Sequence, residues 1–244
     1  MQKRGLMILR GMSFRKGMHG SLNIYDSEAV EEQILATESH KKLVEKVIEK
    51  YNIEFDIALD TVETPHTHLL FKILGKHLKK YCIRGYHDLT QVFSFQRPLY
   101  NWQFLIAEYD FVFVVRNDIL LKEQMIETLN PHDDKLMFPF VEAYEVRYIP
   151  ENKSYPRHSD CMMYFPKRYF HTLSGFNFYQ DAVDFHDFLY KVICNIDSTV
   201  EYDFYIKTYH YSHTVDMWNP LFEITNRFHS DEKPNMSLTY PEDF

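Results

Sequence analysis

Apolar runs and segments of helical periodicity alternate along the first half of the chain. Short apolar runs predict buried strands over residues 5–10, 55–59 and 81–83. Apolar residues three or four positions apart, with charges between them, predict helices over residues 27–51, 68–78 and 90–108. The first helix is expected to break near residues 37–39, and Pro98 is expected to start, break or kink the last. This alternation indicates a mostly parallel sheet with helices on its faces.

Residues 109–121 predict the clearest strand of the chain, one that is covered on both faces. Its Phe and Val residues are continuous rather than alternating, as is typical of such strands. Further along, the pattern predicts strands over residues 136–141, 160–165 and 201–211, and helices over 181–193 and 221–228. Since no Gly-, Ser- or Pro-rich linker and no repeat divides the chain, we expect one α/β domain over residues 1–228 and a tail over 229–244.

Composition excludes several classes of nucleotide-binding protein. Hydrophobic residues make up 45% of the 244 residues, which is enough for a substantial core. There are only seven glycines and no G-x-G-x-x-G or P-loop motif, so a Rossmann dehydrogenase and a P-loop NTPase are not expected. A net charge of −8 argues against a general nucleic-acid binder, although a few placed arginines would still bind a single nucleotide.

The cysteines and the apolar runs predict the cell compartment. Cys82, Cys161 and Cys194 lie far apart, form no C-x-x-C motif and are odd in number, which favours a reducing compartment. No apolar run reaches the length of a membrane span, and residues 1–8 are too short for the apolar part of a signal peptide. We therefore expect a cytoplasmic protein without a membrane span.

Polar side chains follow the predicted strands at the points where they end. They are Arg10, Ser13 and Arg15, then Asp60 and Thr61, then Arg84, and finally Arg116, Asn117 and Asp118. A parallel sheet gathers such residues at one edge, where ligands bind. Arginines suit a diphosphate there because the guanidinium group bonds paired oxygens. The alternative is that each arginine is simply a solvated residue after a strand.

Asp118 carries the strongest chemical signal. Five apolar residues lead directly into Arg116-Asn117-Asp118, and the apolar run then resumes. A carboxylate at such a point is costly to bury unless it is paired or binds a metal. The alternative to a metal is an ion pair between Asp118 and Arg116, or a carboxylate that stabilises a turn.

A hydrophobic strand that ends in an acidic triplet, midway along alternating strands and helices, resembles the D-x-D segment of GT-A glycosyltransferases. The stretches LRGMSFRKG, R-N-D, HSDCMMYFPKRYF and WNPLFEITNR are similar to small glycosyltransferases of large algal DNA viruses, and the resemblance covers residues 6–227. It implies a GT-A-like, Rossmann-like fold and a nucleotide-sugar donor. It also implies Mn²⁺ or Mg²⁺, held by the acids against the diphosphate.

The triplet departs from the D-x-D pattern, because Arg116 stands in place of the first acid. Either Asp118 binds the metal with ligands from elsewhere, or Arg116 itself neutralises phosphate and reduces the need for metal. For the first option the resemblance implies a histidine ligand, for which His213 is the candidate and His210 the fallback.

An inverting transferase also needs a carboxylate base for the acceptor hydroxyl. Asp160 is the first candidate, and Glu142 and Glu145 are alternatives. Asp160 is equally open to interpretation as a loop-fixing carboxylate. Trp218 either stacks on a sugar ring or belongs to the core.

The leading hypothesis is transfer of a sugar from a nucleotide-sugar, either UDP- or GDP-linked with UDP preferred, to a glycan or glycoprotein acceptor. A nucleotidyltransferase is a second hypothesis, although it would normally show two acids close together at the phosphate site. The third is a non-catalytic carbohydrate- or protein-binding module with a degenerate transferase fold.

Overall fold

Nine strands form two sheets in the computed structural model, which describes residues 2–14, 27–85, 91–140, 159, 161–175, 197–206 and 219–225. The strands are β1 (Arg4–Arg10), β2 (Glu54–Val62), β3 (Leu78–Arg84), β4 (Phe111–Arg116), β5 (Ile119–Leu121), β6 (Leu136–Phe138), β7 (Met162–Pro166), β8 (Tyr202–Phe204) and β9 (Phe222–Ile224). Seven of them form the main sheet in the order β3-β2-β1-β4-β7-β6-β8, and β5 pairs with β9.

Six α-helices lie among the described residues. They are α1 (Ser27–Tyr51), α2 (Thr67–Leu74), α3 (Gln91–Asn101), α4 (Gln103–Ile106), α5 (Glu123–Thr128) and α6 (Phe170–Gly175), with 3₁₀ turns at Gly75–His77 and Lys167–Tyr169. α1 ends where Asn52 adopts a left-handed conformation (φ 51°) and its N–H bonds the Ile48 carbonyl at 2.9 Å. Across the described residues, no helix combines the length and the apolar character needed to cross a membrane.

The main sheet is mostly parallel. Neighbouring strands run parallel from β3 through β2 and β1 to β4, and again between β6 and β8. β7 is antiparallel to both β4 and β6. The predicted fold class, an α/β domain with a mostly parallel sheet flanked by helices, is therefore confirmed.

Each face of the sheet is covered by its own apolar layer, because successive residues of a strand point to opposite faces. On one face, Met7 and Leu9 of β1 pack with Leu43 and Val47 of α1. On the other, alternate residues such as Ile8 pack with α3 and α4. The central strands are buried on both faces, as their continuous apolar sequence predicts.

The structure corrects four of the predicted elements. α1 is continuous, without a break at residues 37–39. The predicted strand over 109–121 is two strands in different sheets, because Asn117 and Asp118 form a turn between β4 and β5. The predicted helix over 221–228 is wrong at its start, where β9 pairs antiparallel with β5. β2 continues through Asp60 and Thr61, so these residues lie inside the strand and do not follow it.

Two further predicted elements, the helix over 181–193 and the tail over 229–244, lie outside the described residues. The division into residues 1–228 and 229–244 thus stays a prediction.

Gly5 in β1 allows the close approach of an aromatic ring. A Cβ atom at this position would lie 2.1 Å from Cζ of Phe111, which itself stacks on Tyr164 with ring centroids 5.4 Å apart. Because Phe111 is fully buried, the ring cannot move aside into solvent. Gly5→Ala is therefore expected to lower the free energy of unfolding by about 1–3 kcal/mol through overpacking. Urea denaturation measures this loss.

Gly85 provides the matched control, since a Cβ atom there would meet nothing within 4 Å. Gly85→Ala is expected to change the free energy of unfolding by less than about 0.5 kcal/mol. Equal losses in the two variants would contradict the packing argument.

Candidate functional site

The chain order of the sheet reverses between β1 and β4, because β2 follows on one side of β1 and β4 lies on the other. In open α/β sheets, a crevice forms beyond the carboxyl ends of the strands at such a point, and ligands bind there. β1 ends at Arg10 and β4 ends at Arg116, so both strands bring an arginine to this edge of the sheet.

The strand register aligns the charged side chains on one face of the sheet. Arg10 pairs with Asp60 on one side and with Arg116 on the other. Arg84 pairs with Val62, two positions beyond Asp60, and so points to the same face as Asp60. This is the face that packs against α3, as the burial of Ile8 and Val114 with Phe95 indicates. We call Arg10, Arg84 and Arg116 the edge arginines.

Arg116 binds Asp118 with two hydrogen bonds. Its Nε donates to Oδ1 of Asp118 at 2.9 Å, and its Nη2 donates to Oδ2 at 2.7 Å. Both residues are buried, with 6% and 4% of their surface exposed. The Asp118 carbonyl also accepts a bond from the Thr225 N–H at 3.0 Å. The ion pair that the sequence left open as an alternative is thus the arrangement that the structure shows.

Asp60 and Arg84 form a second buried ion pair at this edge. Burial raises the pKa of Asp60 to about 6, against the opposing effect of the Arg84 and Arg97 guanidinium groups. Arg97 lies on α3 and was not predicted from the sequence as a site residue. No periodicity or motif marks it, because only the packing of α3 over the strand ends brings it there.

Arg10 is 2% exposed and lies against α3. Its Nη1 donates to the Ser94 hydroxyl at 3.3 Å, and its guanidinium carbon lies 5.2 Å from the centre of the Phe95 ring. A buried arginine over an aromatic face is held in a fixed orientation. The strand ends and α3 together bring four arginines (Arg10, Arg84, Arg97 and Arg116) and two buried carboxylates (Asp60 and Asp118) to this part of the described chain.

The other predicted donor-binding residues of the described chain hold the strand ends together. The hydroxyls of Ser13 and Thr61 lie 2.8 Å apart. Asn117 donates from its backbone to the Arg10 carbonyl at 2.8 Å and from its side chain to the Gly11 carbonyl at 3.1 Å. Gly11 has a φ of 96°, which glycine adopts at low cost.

Gln33 of α1 completes this network and was missed in the sequence. Its Nε2 donates to the Asn117 carbonyl at 2.8 Å, and its Oε1 accepts from the Phe14 N–H at 3.2 Å. A glutamine within an amphipathic helix gives no signal that distinguishes it from a surface residue. Here Gln33 is 1% exposed and links the segment after β1 to the turn after β4.

His40 of α1 lies near Asp118 but does not supply a positive charge to balance the Asp118 carboxylate. The imidazole is fully buried, and burial lowers its pKa to about 3, against the opposing effects of the Ile119 backbone and the Asp118 carboxylate. The ring is therefore neutral at physiological pH. Arg116 supplies the positive charge that balances Asp118.

The described residues do not fit a divalent cation. Among them, no group of three or more His, Cys, Asp or Glu side chains could hold a metal ion. Both oxygens of Asp118 already accept bonds from Arg116. Breaking a buried ion pair of this kind costs on the order of 3–5 kcal/mol. The predicted ligand His213 and its fallback His210 lie outside the described residues.

Several other predicted site residues also fall outside the described part of the chain. They are Arg15, Asp160, and the alternative bases Glu142 and Glu145, together with Trp218. Their proposed roles in binding or proton transfer stay predictions.

Asp60 is expected to make the stability of the protein depend on pH. Its pKa is about 6 in the folded chain and has an ordinary value of 3.8, so between these values the folded state binds more protons. The free energy of unfolding contributed by this group therefore falls as the pH rises through 6. On lowering the pH from 7 to 5, we expect the wild type to gain about 1 kcal/mol relative to Asp60→Asn.

Urea denaturation at the two pH values measures this difference. Asp134→Asn, which changes a side chain that is 76% exposed, serves as the control. If the wild type instead lost stability relative to Asp60→Asn on going from pH 7 to pH 5, the attraction of Arg84 for the Asp60 carboxylate would outweigh the effect of burial.

No protein-family model and no curated protein matches the chain. Solved structures do resemble it in fold. One is a glycosyltransferase involved in glycosylation of the major capsid of PBCV-1, at 12% identity and a TM-score of 0.43 over 91% of this chain and 93% of that one. A second is Drosophila β1,4-galactosyltransferase 7 with manganese, UDP-Gal and xylobiose, at 8% identity and a TM-score of 0.46 over 92% and 71% of the two chains.

A third is the inositol-1-phosphate CTP transferase of T. maritima, at 12% identity and a TM-score of 0.43 over 84% of this chain and 86% of that one. These similarities concern the fold. The chain is similar in fold to nucleotide-sugar transferases, including a chlorovirus glycosyltransferase, as the sequence resemblance predicts.

Proposed function

We propose that this chain is a glycosyltransferase that moves a sugar from a nucleotide-sugar, with UDP as the preferred nucleotide, to a glycan or glycoprotein acceptor. The observation that carries the proposal is the alignment of the edge arginines on one face of the sheet, at the point where its chain order reverses. A nucleoside diphosphate is an anion of the charge and the oxygen geometry that guanidinium groups bind.

The charge at this edge contrasts with that of the whole chain. Four arginines gather at this edge, two of them paired with the buried carboxylates of Asp60 and Asp118, while the full chain carries −8. A small basic site within an acidic protein favours a compact anion over a nucleic acid, which needs an extended basic surface.

In the proposed reaction, an acceptor hydroxyl oxygen bonds to the anomeric carbon of the sugar. The bond between that carbon and the diphosphate oxygen breaks, and the electron pair leaves with the diphosphate. Arginines that are already in position stabilise the charge that develops on the leaving group, and burial strengthens this effect. For inversion, the hydroxyl proton passes to a carboxylate, for which Asp160 and then Glu142 are the proposed bases.

The donor site is assigned to Arg10, Ser13, Arg15, Asp60, Thr61, Arg84, Arg116 and Asn117 as a proposal. Within this set, we assign contact with phosphate to the edge arginines, because guanidinium groups suit phosphate oxygens, and we assign to Ser13, Thr61 and Asn117 the role of joining the strand ends. We propose a cytoplasmic location.

A donor-binding site is expected to reveal itself by thermal shift. A nucleotide-sugar at 100 times its Kd stabilises the folded state by about 2.7 kcal/mol, which raises the Tm of a chain of this size by roughly 5–10 °C. We expect this rise with UDP, GDP or their sugars, and release of the nucleoside diphosphate when a glycan acceptor is added. Arg10→Met should lose most of the shift.

Arg168→Met is the matched control, because it also removes one positive charge. Its side chain is 43% exposed and pairs with Glu201. Arg168 follows the end of β7, which lies beside the start of β4. Shifts with free oligosaccharides alone would contradict the proposal and favour a binding module. Formation of pyrophosphate from a nucleoside triphosphate and a sugar phosphate would instead identify a nucleotidyltransferase.

A further inference from the structure

We infer that Gln33 of α1 is a positioning residue for the proposed donor site, and that the site binds a nucleoside diphosphate only while the Gln33 amide joins the segment after β1 to the turn after β4. The inference rests on the proposed function, because it concerns how that same site is assembled. Gln33 itself is 1% exposed, and we assign it no contact with the donor.

The two hydrogen bonds of the Gln33 amide have opposite polarity. Its Oε1 accepts from the Phe14 N–H at 3.2 Å, and its Nε2 donates to the Asn117 carbonyl at 2.8 Å. A side-chain amide carries an acceptor and a donor on the same carbon, so it can bond an N–H and a carbonyl at the same time. The reverse orientation would set N–H against N–H and oxygen against oxygen. The two backbone partners therefore fix the orientation of the amide.

Phe14 is the partner on the side of β1. Its φ is 55°, a left-handed conformation that is rare for a bulky residue, and its side chain is fully buried. The hydroxyl of the preceding residue, Ser13, lies 2.8 Å from that of Thr61 in β2. The bond between Gln33 and the Phe14 N–H therefore helps to hold the turn that places Ser13 beside β2.

Asn117 is the partner on the side of β4. Its N–H donates to the Arg10 carbonyl at 2.8 Å, and its Nδ2 donates to the Gly11 carbonyl at 3.1 Å. The bonds from Gln33 close a ring that runs through Asn117 to Gly11 and along the chain to Phe14. Both strands that this ring joins end in an arginine that we propose to contact phosphate. Loss of the Gln33 amide opens the ring where the two strand ends meet.

The affinity for the donor should follow the fraction of molecules in which the ring is closed. Removing the amide takes a partner from a buried N–H and from a buried carbonyl, which makes the closed arrangement less favourable. The apparent Kd rises in inverse proportion to the fraction of molecules that are competent to bind. If about a tenth of the molecules keep the closed arrangement, the Kd rises roughly tenfold.

The first experiment measures the Kd of UDP and of GDP by isothermal titration, with Mn²⁺ present so that any requirement for metal is met. Gln33→Met keeps nearly the length of the side chain and removes both bonds of the amide. We expect its Kd to be roughly tenfold higher than that of the wild type, or more.

Tyr164→Phe is the matched control, because it also removes polar bonds from a fully buried side chain with little change in volume. The lost hydroxyl donates to the carbonyls of Pro131 and Asp133 at 3.0 and 3.1 Å. These residues precede β6, which runs parallel to β4 because both are antiparallel to β7, so they lie at the opposite edge of the sheet. We expect this variant to lose stability and to keep its Kd within about twofold, since distant sites act independently.

Gln33→Glu tests the polarity of the two bonds within one variant. An ionised carboxylate only accepts, so it would set an oxygen against the Asn117 carbonyl, whereas a protonated carboxyl donates through its O–H and restores both bonds. Burial raises the pKa of a carboxyl group, so the protonated form prevails at pH 5. The ratio of the Kd of this variant to that of the wild type should be about one at pH 5 and at least roughly tenfold at pH 9. Using the ratio removes pH effects that the two proteins share.

Each outcome decides between the inference and the proposed function. Absence of UDP and GDP binding to the wild type would overturn the proposed function, and the inference with it. Wild-type affinity in Gln33→Met, or an equal loss in Tyr164→Phe, would overturn the inference alone. The same holds if the Kd ratio of Gln33→Glu does not change between pH 5 and pH 9. Circular dichroism checks that each variant is folded, and the pH series of Gln33→Glu decides the question if Gln33→Met is not.

Discussion

The need to balance buried charge at the carboxyl edge of the sheet governs this structure. Asp60, Asp118, Arg10, Arg84 and Arg116 are all at most 6% exposed, so each charge must meet an opposite charge or a hydrogen-bonding partner inside the protein. The ion pair with two hydrogen bonds between Arg116 and Asp118 and the ion pair between Arg84 and Asp60 meet this need. The two pairs also set the orientation of the arginines before any ligand arrives.

The topology explains why these charges meet at one place. Parallel strands end at the same edge, and the register puts Arg10, Asp60 and Arg116 in one row. Because side chains alternate between faces, the row continues the line of apolar residues that packs against α3. The site therefore continues the same alternation of side chains that builds the core, with charged residues in place of apolar ones.

Local pattern was sufficient to predict the parallel strands and the arginines at the ends of β1, β3 and β4, since burial on both faces leaves a continuous apolar run. It was not sufficient where distant partners decide the structure. The turn at Asn117 and Asp118 depends on bonds to Arg10 and Thr225, over a hundred residues away. β9 forms because β5 offers it a partner, which outweighs the helical pattern. The choice between an ion pair and a metal ligand for Asp118 likewise required the position of Arg116.

α1 contacts the edge of the sheet at successive turns. Gln33 bonds the Asn117 carbonyl, and the Ser39 hydroxyl accepts from the Leu121 N–H at 2.9 Å. This edge thus takes its shape from a helix as well as from the strands. The ends of helices open locally at lower free energy than central strands do. A fluctuation that loosened the first half of α1 would disrupt the proposed donor site while the sheet stayed intact, so the proposed activity would fail at a lower temperature than the fold.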